Sequence, residues 1–365
     1  MKKNILIIDD SALMRRVLSD IINSDERFEV SKFAGDGVQG LDYLIQNHYD
    51  CTILDINMPK MNGLELLEQL KKHNIRTKVL IVSTVARQGA NETIRALELG
   101  AFDFITKPES LYETRSEAFR NKLLNAISCA TQTYSLDAEI MKQKMAKRTF
   151  SASVEEHHSV VRPKSTGKKP IRGGKKLIAL ACSTGGPKAL QTIVPLFPKE
   201  LNAPIVVVQH MPAGFTYSLA VRLNETSKID VKEAAEGDIL ENGKMYIAKG
   251  GNHLKVRKSG AGFTLHLGTE DAVNGLRPCA DIMYRSLCDL DYDEIVCVVL
   301  TGMGSDGTKG IQELSKSKNI YVIAQDMETS IVYGMPKAVF KTGLVDEVRP
   351  LNEITESIVK HVGVR

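Results

Sequence analysis

The fold of the first half of the chain is decided by the stretch NILIIDD at residues 4–10, in which a short apolar run leads directly into two aspartates. Such a run is typical of a buried strand in a parallel sheet. Further short apolar runs follow, and segments with amphipathic helical spacing separate them. The predicted strands are residues 4–8, 30–34, 51–54, 78–82 and 102–105, and the predicted helices are residues 12–22, 38–46, 63–72, 92–99 and about 112–130. This alternation predicts an α/β fold with a five-stranded parallel sheet and helices on both faces.

A second β-α series begins at KLIALA, residues 176–181, and predicts a separate doubly wound, mostly parallel α/β domain. Three later apolar runs continue this series, each followed by a turn and a helix: residues 205–209, 294–300 and 320–324. Residues 229–267 alternate with period two around glycine turns, which predicts a β-hairpin insertion at one edge. His253 and His266 fall in this insertion, and we expect both at the surface.

Length and composition define the class of protein. A chain of 365 residues with 43% hydrophobic and 25% charged residues is typical of a globular protein, and its length suggests about two domains. The sequence contains no run of about 18 uncharged apolar residues. We therefore expect a cytoplasmic protein with no membrane insertion. Six scattered cysteines without a C-x-x-C pair argue against a disulfide framework and a structural zinc site.

The net charge of +4 arises in one segment. Residues 142–176 hold 11 basic and 2 acidic side chains, whereas the rest of the chain holds 37 basic and 42 acidic ones. A basic stretch rich in serine and glycine, with few large apolar residues, is typical of a flexible linker. We predict domains at residues 1–130 and 176–365, a basic linker at residues 131–175, and no nucleic-acid-binding face.

Carboxylates follow two of the predicted strands in the first domain. Asp9 and Asp10 end the first strand, and Asp55 ends the third. In such sheets, ligands bind at the carboxyl ends of the strands where the strand order reverses. Three carboxylates there repel one another unless a cation neutralises them, and their hard oxygen atoms suit Mg²⁺. Lys107 after the fifth strand and Ser83 at the end of the fourth complete a site for phosphoryl transfer to Asp55.

Together these residues carry a family resemblance. Residues 4 to about 125 resemble the receiver domain of bacterial two-component response regulators. The resemblance implies a flavodoxin-like fold, phosphorylation of Asp55, and Mg²⁺ held by the three carboxylates and the backbone carbonyl of Asn57. It also implies that Ser83 is the switch hydroxyl and that Phe104 is the rotating aromatic residue.

Residues with catalytic chemistry also follow strands of the second domain. Ser183 lies on the Gly-rich turn CSTGGP, residues 182–187, where the next amides and a helix N-terminus can stabilise an oxyanion. His210 ends the next strand, and Asp306 lies in TGMGSDG, residues 301–307. These residues have the chemistry of a nucleophile, a general base and an orienting acid. A Gly-rich turn of this kind also suits phosphate binding, so the residues alone leave both uses open.

Five separated motifs carry a second resemblance: STGG at 183–186, QHMPAGFT at 209–216, RPCAD at 277–281, LTGMGSDG at 300–307 and YGMP at 333–336. Through them, residues from about 176 to 360 resemble the protein-glutamate methylesterases of bacterial chemotaxis. The resemblance implies a hydrolase-type domain with a serine-type triad of Ser183, His210 and Asp306 and no cofactor of its own. It places Thr184 and Met303 around the oxyanion site.

The two resemblances together imply a phosphorylation-activated enzyme of chemotactic adaptation. Its substrates would be the methylated glutamates of chemoreceptors, from which it releases methanol, and deamidation of receptor glutamines also fits. A chemotaxis histidine kinase would be the phosphodonor. We expect the unphosphorylated receiver to obstruct the Ser183 end of the second domain, and phosphorylation to loosen that contact.

Alternatives stay open at this point. The output domain of a response regulator can simply bind DNA or protein, although the second half shows no helix-turn-helix pattern. The hydrolase can also act on another methylated or acylated protein. Cys182 is a rival nucleophile, but on a straight strand its side chain points away from that of Ser183, so we expect it to be buried. The family usually has Gly-Ala before the serine where this chain has Ala181-Cys182. The basic linker of this chain is also longer than is usual in the family.

Overall fold

The computed structural model of the chain describes residues 1–83, 87–108, 110–114, 116–131, 173–260 and 262–364. Contacts divide the chain into two compact units, residues 1–84 with 99–162 and residues 85–98 with 163–365. The predicted linker at 131–175 lies, apart from its ends, outside the described residues. Among the described helices, none combines the length and the hydropathy that crossing a membrane requires.

The first sheet has five parallel strands in the order β2-β1-β3-β4-β5. The strands are β1 (Lys3–Ile8), β2 (Phe28–Ala34), β3 (Cys51–Asp55), β4 (Val79–Ser83) and β5 (Asp103–Thr106). β3 and β4 are buried at every residue, as expected for strands covered on both faces. The strand order reverses between β1 and β3, which puts Asp9 and Asp55 at the switch point where such sheets bind ligands.

The first six helices are α1 (Ala12–Asn23), α2 (Gly37–Gln46), α3 (Gly63–Lys72), α4 (Arg87–Glu98), α5 (Leu111–Thr114) and α6 (Glu117–Ala130). The side chains at the helix starts explain several boundaries. Asn62 and Glu65 form a capping box at α3, each accepting from the other's backbone amide. The single helix expected at about 112–130 is instead two helices, because the Ser116 hydroxyl accepts from the Phe119 amide and begins α6.

The second sheet has seven parallel strands in the order β14-β13-β12-β6-β7-β9-β8. The strands are β6 (Lys176–Cys182), β7 (Ile205–Gln209), β8 (Asp230–Glu233), β9 (Lys244–Ile247), β12 (Glu294–Val299), β13 (Ile320–Gln325) and β14 (Glu347–Arg349). The helices are α7 (Gly186–Ile193), α8 (Phe215–Thr226), α9 (Ala280–Arg285), α10 (Thr308–Leu314), α11 (Met335–Phe340) and α12 (Leu351–Val362). The order reverses between β6 and β12, so the loops after these strands lie at the second switch point.

The predicted insertion is an antiparallel hairpin of β10 (His253–Ser259) and β11 (Gly262–Gly268), which forms a sheet of its own. The neighbouring strands β8 and β9 differ from the expectation, because they join the main sheet in parallel. Met245, Tyr246 and Ile247 are buried in succession, as in a strand covered on both faces. The prediction of an exposed His253 is wrong, because that side chain is fully buried with Nε2 at 3.0 Å from the Asp271 carbonyl oxygen.

Candidate active site

The acidic residues predicted in the first domain lie together. Ligand atoms of Asp9, Asp10 and Asp55 all lie within 4.8 Å of one another. The Lys107 ammonium lies 2.7 Å from Asp55 Oδ2 and 3.0 Å from Asp9 Oδ2. Its position follows from the sheet, since the Lys107 amide donates to the Ser83 carbonyl at 2.6 Å and thereby extends the pairing of β4 with β5.

Burial and neighbouring charges shift the pKa values of Asp55 and Lys107 in this pocket. Burial raises the pKa of Asp55, and the nearby Lys107 ammonium opposes that rise without cancelling it. Burial also acts to lower the pKa of Lys107, but the carboxylates of Asp55 and Asp9 outweigh it, so that its pKa is raised. The Lys107 ammonium contacts two of the three carboxylates, and the third, that of Asp10, is exposed to water. This set of oxygen donors fits a hydrated Mg²⁺ ion.

The other residues predicted for the receiver occupy separate positions. Ser83 is buried at the carboxyl end of β4, at the same edge of the sheet as Asp55. Asn57 is exposed in the loop after β3. Phe104 is buried within β5, where it pairs with Ile81 of β4. The metal, switch and aromatic roles of these residues stay predictions.

Neighbouring strands of the second sheet bring Ser183, His210 and Asp306 together. Cys182 at the end of β6 pairs with Gln209 at the end of β7, so Ser183 and His210 are the next residue on each strand. Asp306 comes from the loop after β12, the neighbour of β6 on its other side. His210 Nε2 lies 2.8 Å from Asp306 Oδ2, and the two side chains are 9% and 7% exposed.

The orientation of the imidazole decides which nitrogen faces the serine. Because Nε2 faces the Asp306 carboxylate, Nδ1 is the nitrogen left to accept a proton from Ser183. Within the part of the chain that the structure describes, no hydrogen bond joins the Ser183 hydroxyl to His210. Catalytic hydrogen bonds are often long in ligand-free enzymes and shorten when the substrate binds.

Asp306 is the best-supported carboxylate of the site. Five groups donate to it at 2.6 to 3.1 Å: His210 Nε2, the Cys279 thiol and the backbone amides of Ala280, Asp281 and Gly307. Burial acts to raise the pKa of Asp306, but these donors hold that pKa well below its usual range. The carboxylate is therefore ionised and fixed throughout the neutral pH range.

The turn that carries Ser183 is held against the loop after β12. The Ser183 amide donates to the Thr301 carbonyl at 3.0 Å, and the Thr301 hydroxyl donates to the Thr184 carbonyl at 2.9 Å. A Cβ at Gly302 would lie 2.9 Å from Ser183 Cβ, so only glycine permits this approach. Thr184 and Met303, both partly exposed, thus lie on the two loops that meet at the nucleophile.

Ala181 and Cys182, which stand where the family usually has Gly-Ala, lie inside the sheet. Both residues are fully buried in β6, and burial raises the pKa of the Cys182 thiol. A buried thiol with a raised pKa is a poor nucleophile, because the thiolate is the reactive form. Burial also raises the pKa of the Cys279 thiol to about 12.

Some residues that hold the site together were not found from the sequence. Gln209 and Gln325 end β7 and β13, are buried, and bind loop backbone through their side-chain amides. Cys279 supports Asp306, and Thr301 joins two loops. A polar residue ending a strand of otherwise apolar residues is the signal that was available for the two glutamines.

Known proteins resemble this chain over its whole length. It matches the family model for CheB methylesterase over residues 178–358 and that for the response regulator receiver domain over residues 5–118. A protein-glutamate methylesterase/protein-glutamine glutaminase from Pyrococcus horikoshii is 40% identical over 363 residues, which span 100% of this chain and 94% of that protein. This chain belongs to the CheB methylesterase family.

Other members of the CheB methylesterase family agree. A Bacillus subtilis protein with the same descriptive name is 39% identical over 362 residues, 98% of each chain. The crystal structure of the Thermotoga maritima CheB methylesterase catalytic domain matches 52% of this chain and 99% of its own length, with a TM-score of 0.50 and 41% identity. The predicted fold class and both family resemblances are confirmed, and the chain is a methylesterase joined to a receiver domain.

Proposed function

We propose that the chain hydrolyses the methyl esters of glutamate side chains on chemoreceptors, with serine-type catalysis by Ser183, His210 and Asp306. The observation that carries the proposal is the 2.8 Å contact between His210 Nε2 and Asp306 Oδ2, directly beside the strand end that carries Ser183. The choice of substrate is supported by the names of the relatives.

The first half of the reaction forms an ester with the enzyme. His210 Nδ1 takes the proton from the Ser183 hydroxyl as the oxygen attacks the glutamyl ester carbonyl. The ionised Asp306 holds the Nε2 proton and stabilises the imidazolium that forms. The imidazolium then gives its proton to the departing methoxide, which leaves as methanol.

The backbone following Ser183 supplies the oxyanion site of this proposal. Gly185 has a φ of +78°, and α7 begins at Gly186, so the positive end of the helix starts three residues after the nucleophile. In the second half of the reaction, His210 removes a proton from water, which attacks the glutamyl ester of Ser183. Glutamate and the free serine are the products.

The names of the two relatives also include a glutaminase, and the same steps accommodate an amide. The imidazolium would then protonate departing ammonia instead of methoxide. Glutamine deamidation by the same triad is therefore part of the proposal. It predicts that Ser183→Ala removes ammonia release together with methanol release.

The receiver supplies the control. Asp55 would take a phosphoryl group from a chemotaxis histidine kinase, and Lys107 would balance the charge of the product. Asp9, Asp10, Asp55 and the Asn57 carbonyl would hold Mg²⁺, which when bound neutralises phosphate charge. In this proposal the unphosphorylated receiver restrains the esterase, and phosphorylation shifts the population towards an unrestrained state.

Methanol release from methylated receptor membranes tests the catalytic assignment. We expect Ser183→Ala and His210→Ala each to lower the rate by at least about 10⁴-fold, with little further loss in the double variant, because triad members act as a unit. Cys182→Ala is the matched control beside the nucleophile, and we expect it to keep at least about a third of the rate, because a buried thiol contributes little reactivity. An equal loss in a folded Cys182→Ala protein would show that the nucleophile is misassigned.

A further inference from the structure

Gln209 lies between the nucleophile and the base. It is the last residue of β7 and is 1% exposed. Its side-chain Nε2 donates to the Ser183 carbonyl at 3.0 Å and to the His210 carbonyl at 3.3 Å. Its Oε1 accepts from the Cys182 thiol at 3.0 Å. One buried amide therefore binds the backbone of both residues.

The chemistry of its partners fixes the orientation of this amide. The two carbonyl oxygens can only accept, so the NH₂ group must face them, and the oxygen must face the thiol. A carboxylate at this position has no donor and would present its oxygens to two carbonyls. The amide group of glutamine, and not only its size, is therefore what these three partners need.

The bonds of Gln209 begin where the sheet ends. The His210 amide donates to the Cys182 carbonyl at 3.2 Å, the last backbone bond between the ends of β6 and β7. Beyond it, Ser183 and His210 enter separate loops. The side chain of Gln209 carries the connection one residue further and joins those loops at the catalytic positions.

The start of α7 leaves room for this side chain. A Cβ at Gly186 would overlap Gln209 Oε1 and lie 3.0 Å from Cys182 Cβ. Gly186 thus allows the amide to lie against the turn that carries the nucleophile. The glycine and the glutamine form one packed unit beneath Ser183.

We propose that Gln209 is a positioning residue of the esterase, which sets the separation between Ser183 and His210. The proposal rests on the proposed function, because it takes those two residues as nucleophile and base. Gln209 acts through their backbones and does not touch the substrate. Its loss changes the rate of the chemical step and leaves the binding of receptor unchanged.

We expect the fold to tolerate the replacement of Gln209. The Ser183 carbonyl also accepts from the Gly186 amide at 2.7 Å, so it keeps a partner when Gln209 is replaced. Methionine has a similar length and no strong hydrogen-bonding group. Gln209→Met therefore removes all three side-chain hydrogen bonds, including the one from the Cys182 thiol, while keeping a similar side-chain volume.

The test uses the full chain and methanol release. For Gln209→Met we expect kcat to fall roughly 10- to 100-fold, because misplacement of reacting groups by about 1 Å has effects of this size. KM should stay within about threefold of the parent value. The matched control is Thr355→Val on α12, which removes a buried hydrogen bond to the Ile193 carbonyl at the end of α7 and should leave kcat unchanged.

A second variant displaces the same amide without changing Gln209 itself. Gly186→Ala displaces the Gln209 side chain and should also lower kcat with little change in KM. In a Gln209→Ala background, which leaves space where the amide lay, Gly186→Ala should add little further loss, because there is no long side chain left to displace. A general loosening of the fold would instead give losses that add.

The outcomes separate this inference from the proposed function. Parental kcat in folded Gln209→Met overturns the inference, and so does an equal loss in Thr355→Val. If Gln209→Met does not fold, parental kcat in Gly186→Ala overturns it instead. Activity retained in Ser183→Ala, measured in parallel, overturns the proposed function itself. An inactive Ser183→Ala beside a fully active Gln209→Met leaves the proposed function intact and rejects only the role of Gln209.

Discussion

The side chains of Asp55 and Asp306 are both buried at a switch point of a parallel sheet, and their pKa values are shifted in opposite directions. Burial raises the pKa of Asp55, and the one ammonium beside it, with two further carboxylates nearby, does not cancel that rise. Asp306 has five hydrogen-bond donors, four of them neutral groups at fixed positions, and its pKa is strongly lowered. The fold places both residues at the carboxyl end of a parallel sheet, whereas their different neighbours give them different pKa values.

The difference matches the roles proposed for the two residues. A carboxylate that is to take a phosphoryl group needs an oxygen that is not already saturated by donors, with cations available to neutralise charge. A carboxylate that orients an imidazole must keep its charge and position through the reaction. The hydrogen-bond partners of each aspartate supply what its role requires.

Of the changes that test this comparison, Asp306→Asn has the largest expected effect, which is on the esterase. The amide removes the negative charge and presents a donor or a neutral oxygen to His210, which disturbs the imidazole tautomer. We expect kcat to fall about 10³- to 10⁴-fold, as the loss of an orienting acid does in other triads. Methanol release measures this, and a loss of less than tenfold would reject Asp306 as the orienting acid.

The next effect is the activation of the esterase by phosphorylation. A population shift of the usual size should raise methanol release roughly 5- to 150-fold when a small phosphodonor and Mg²⁺ are added. Asp55→Asn should abolish this rise, because an amide lacks the nucleophilic oxygen. Deleting residues 1 to about 145 should raise the basal rate without any phosphodonor. An isolated second domain no faster than the unphosphorylated full chain would contradict a restraining receiver.

A smaller effect concerns acid stability. The pKa of Asp306 is lowered in the folded protein, so its ionised form stabilises the fold above the unfolded value of about 3.9 and this contribution is lost as the pH falls below it. We expect Asp306→Asn to lower the free energy of unfolding by about 1–3 kcal/mol at pH 7. This gap in the free energy of unfolding between the parent and Asp306→Asn should narrow below pH 4. Urea unfolding followed by circular dichroism measures it, with Ser183→Ala as control, and a gap independent of pH would contradict the account.

Much of the fold was predictable because apolar runs and strand ends are local features. NILIIDD and CTILD place carboxylates at the ends of two buried strands, and a parallel sheet brings such ends to one edge. The hairpin prediction is wrong for the four-residue strands β8 and β9, since the pairing of β9 with β7, and through it the place of β8, depends on distant residues. The burial of His253 depends on packing in the same way.

The site shows the same limit. Ser183, His210 and Asp306 stand out by chemistry and by turn residues, and the resemblance assigns their roles. Three of the five donors to Asp306 come from the start of α9, 25 to 27 residues earlier in the chain, and two of these three are backbone amides that no residue type reveals. The contact of Gln209 with two carbonyls likewise depends on the register of β6 with β7.

The most direct test of the account is to measure phosphoryl incorporation and methanol release on the same two folded variants, Asp55→Asn and Asp306→Asn. The account predicts that Asp55→Asn loses phosphoryl incorporation and keeps the basal rate of methanol release. It predicts that Asp306→Asn keeps phosphoryl incorporation and loses methanol release. Phosphoryl incorporation by Asp55→Asn at the parental level, or methanol release by Asp306→Asn at the parental rate, would contradict the separate roles of the two aspartates.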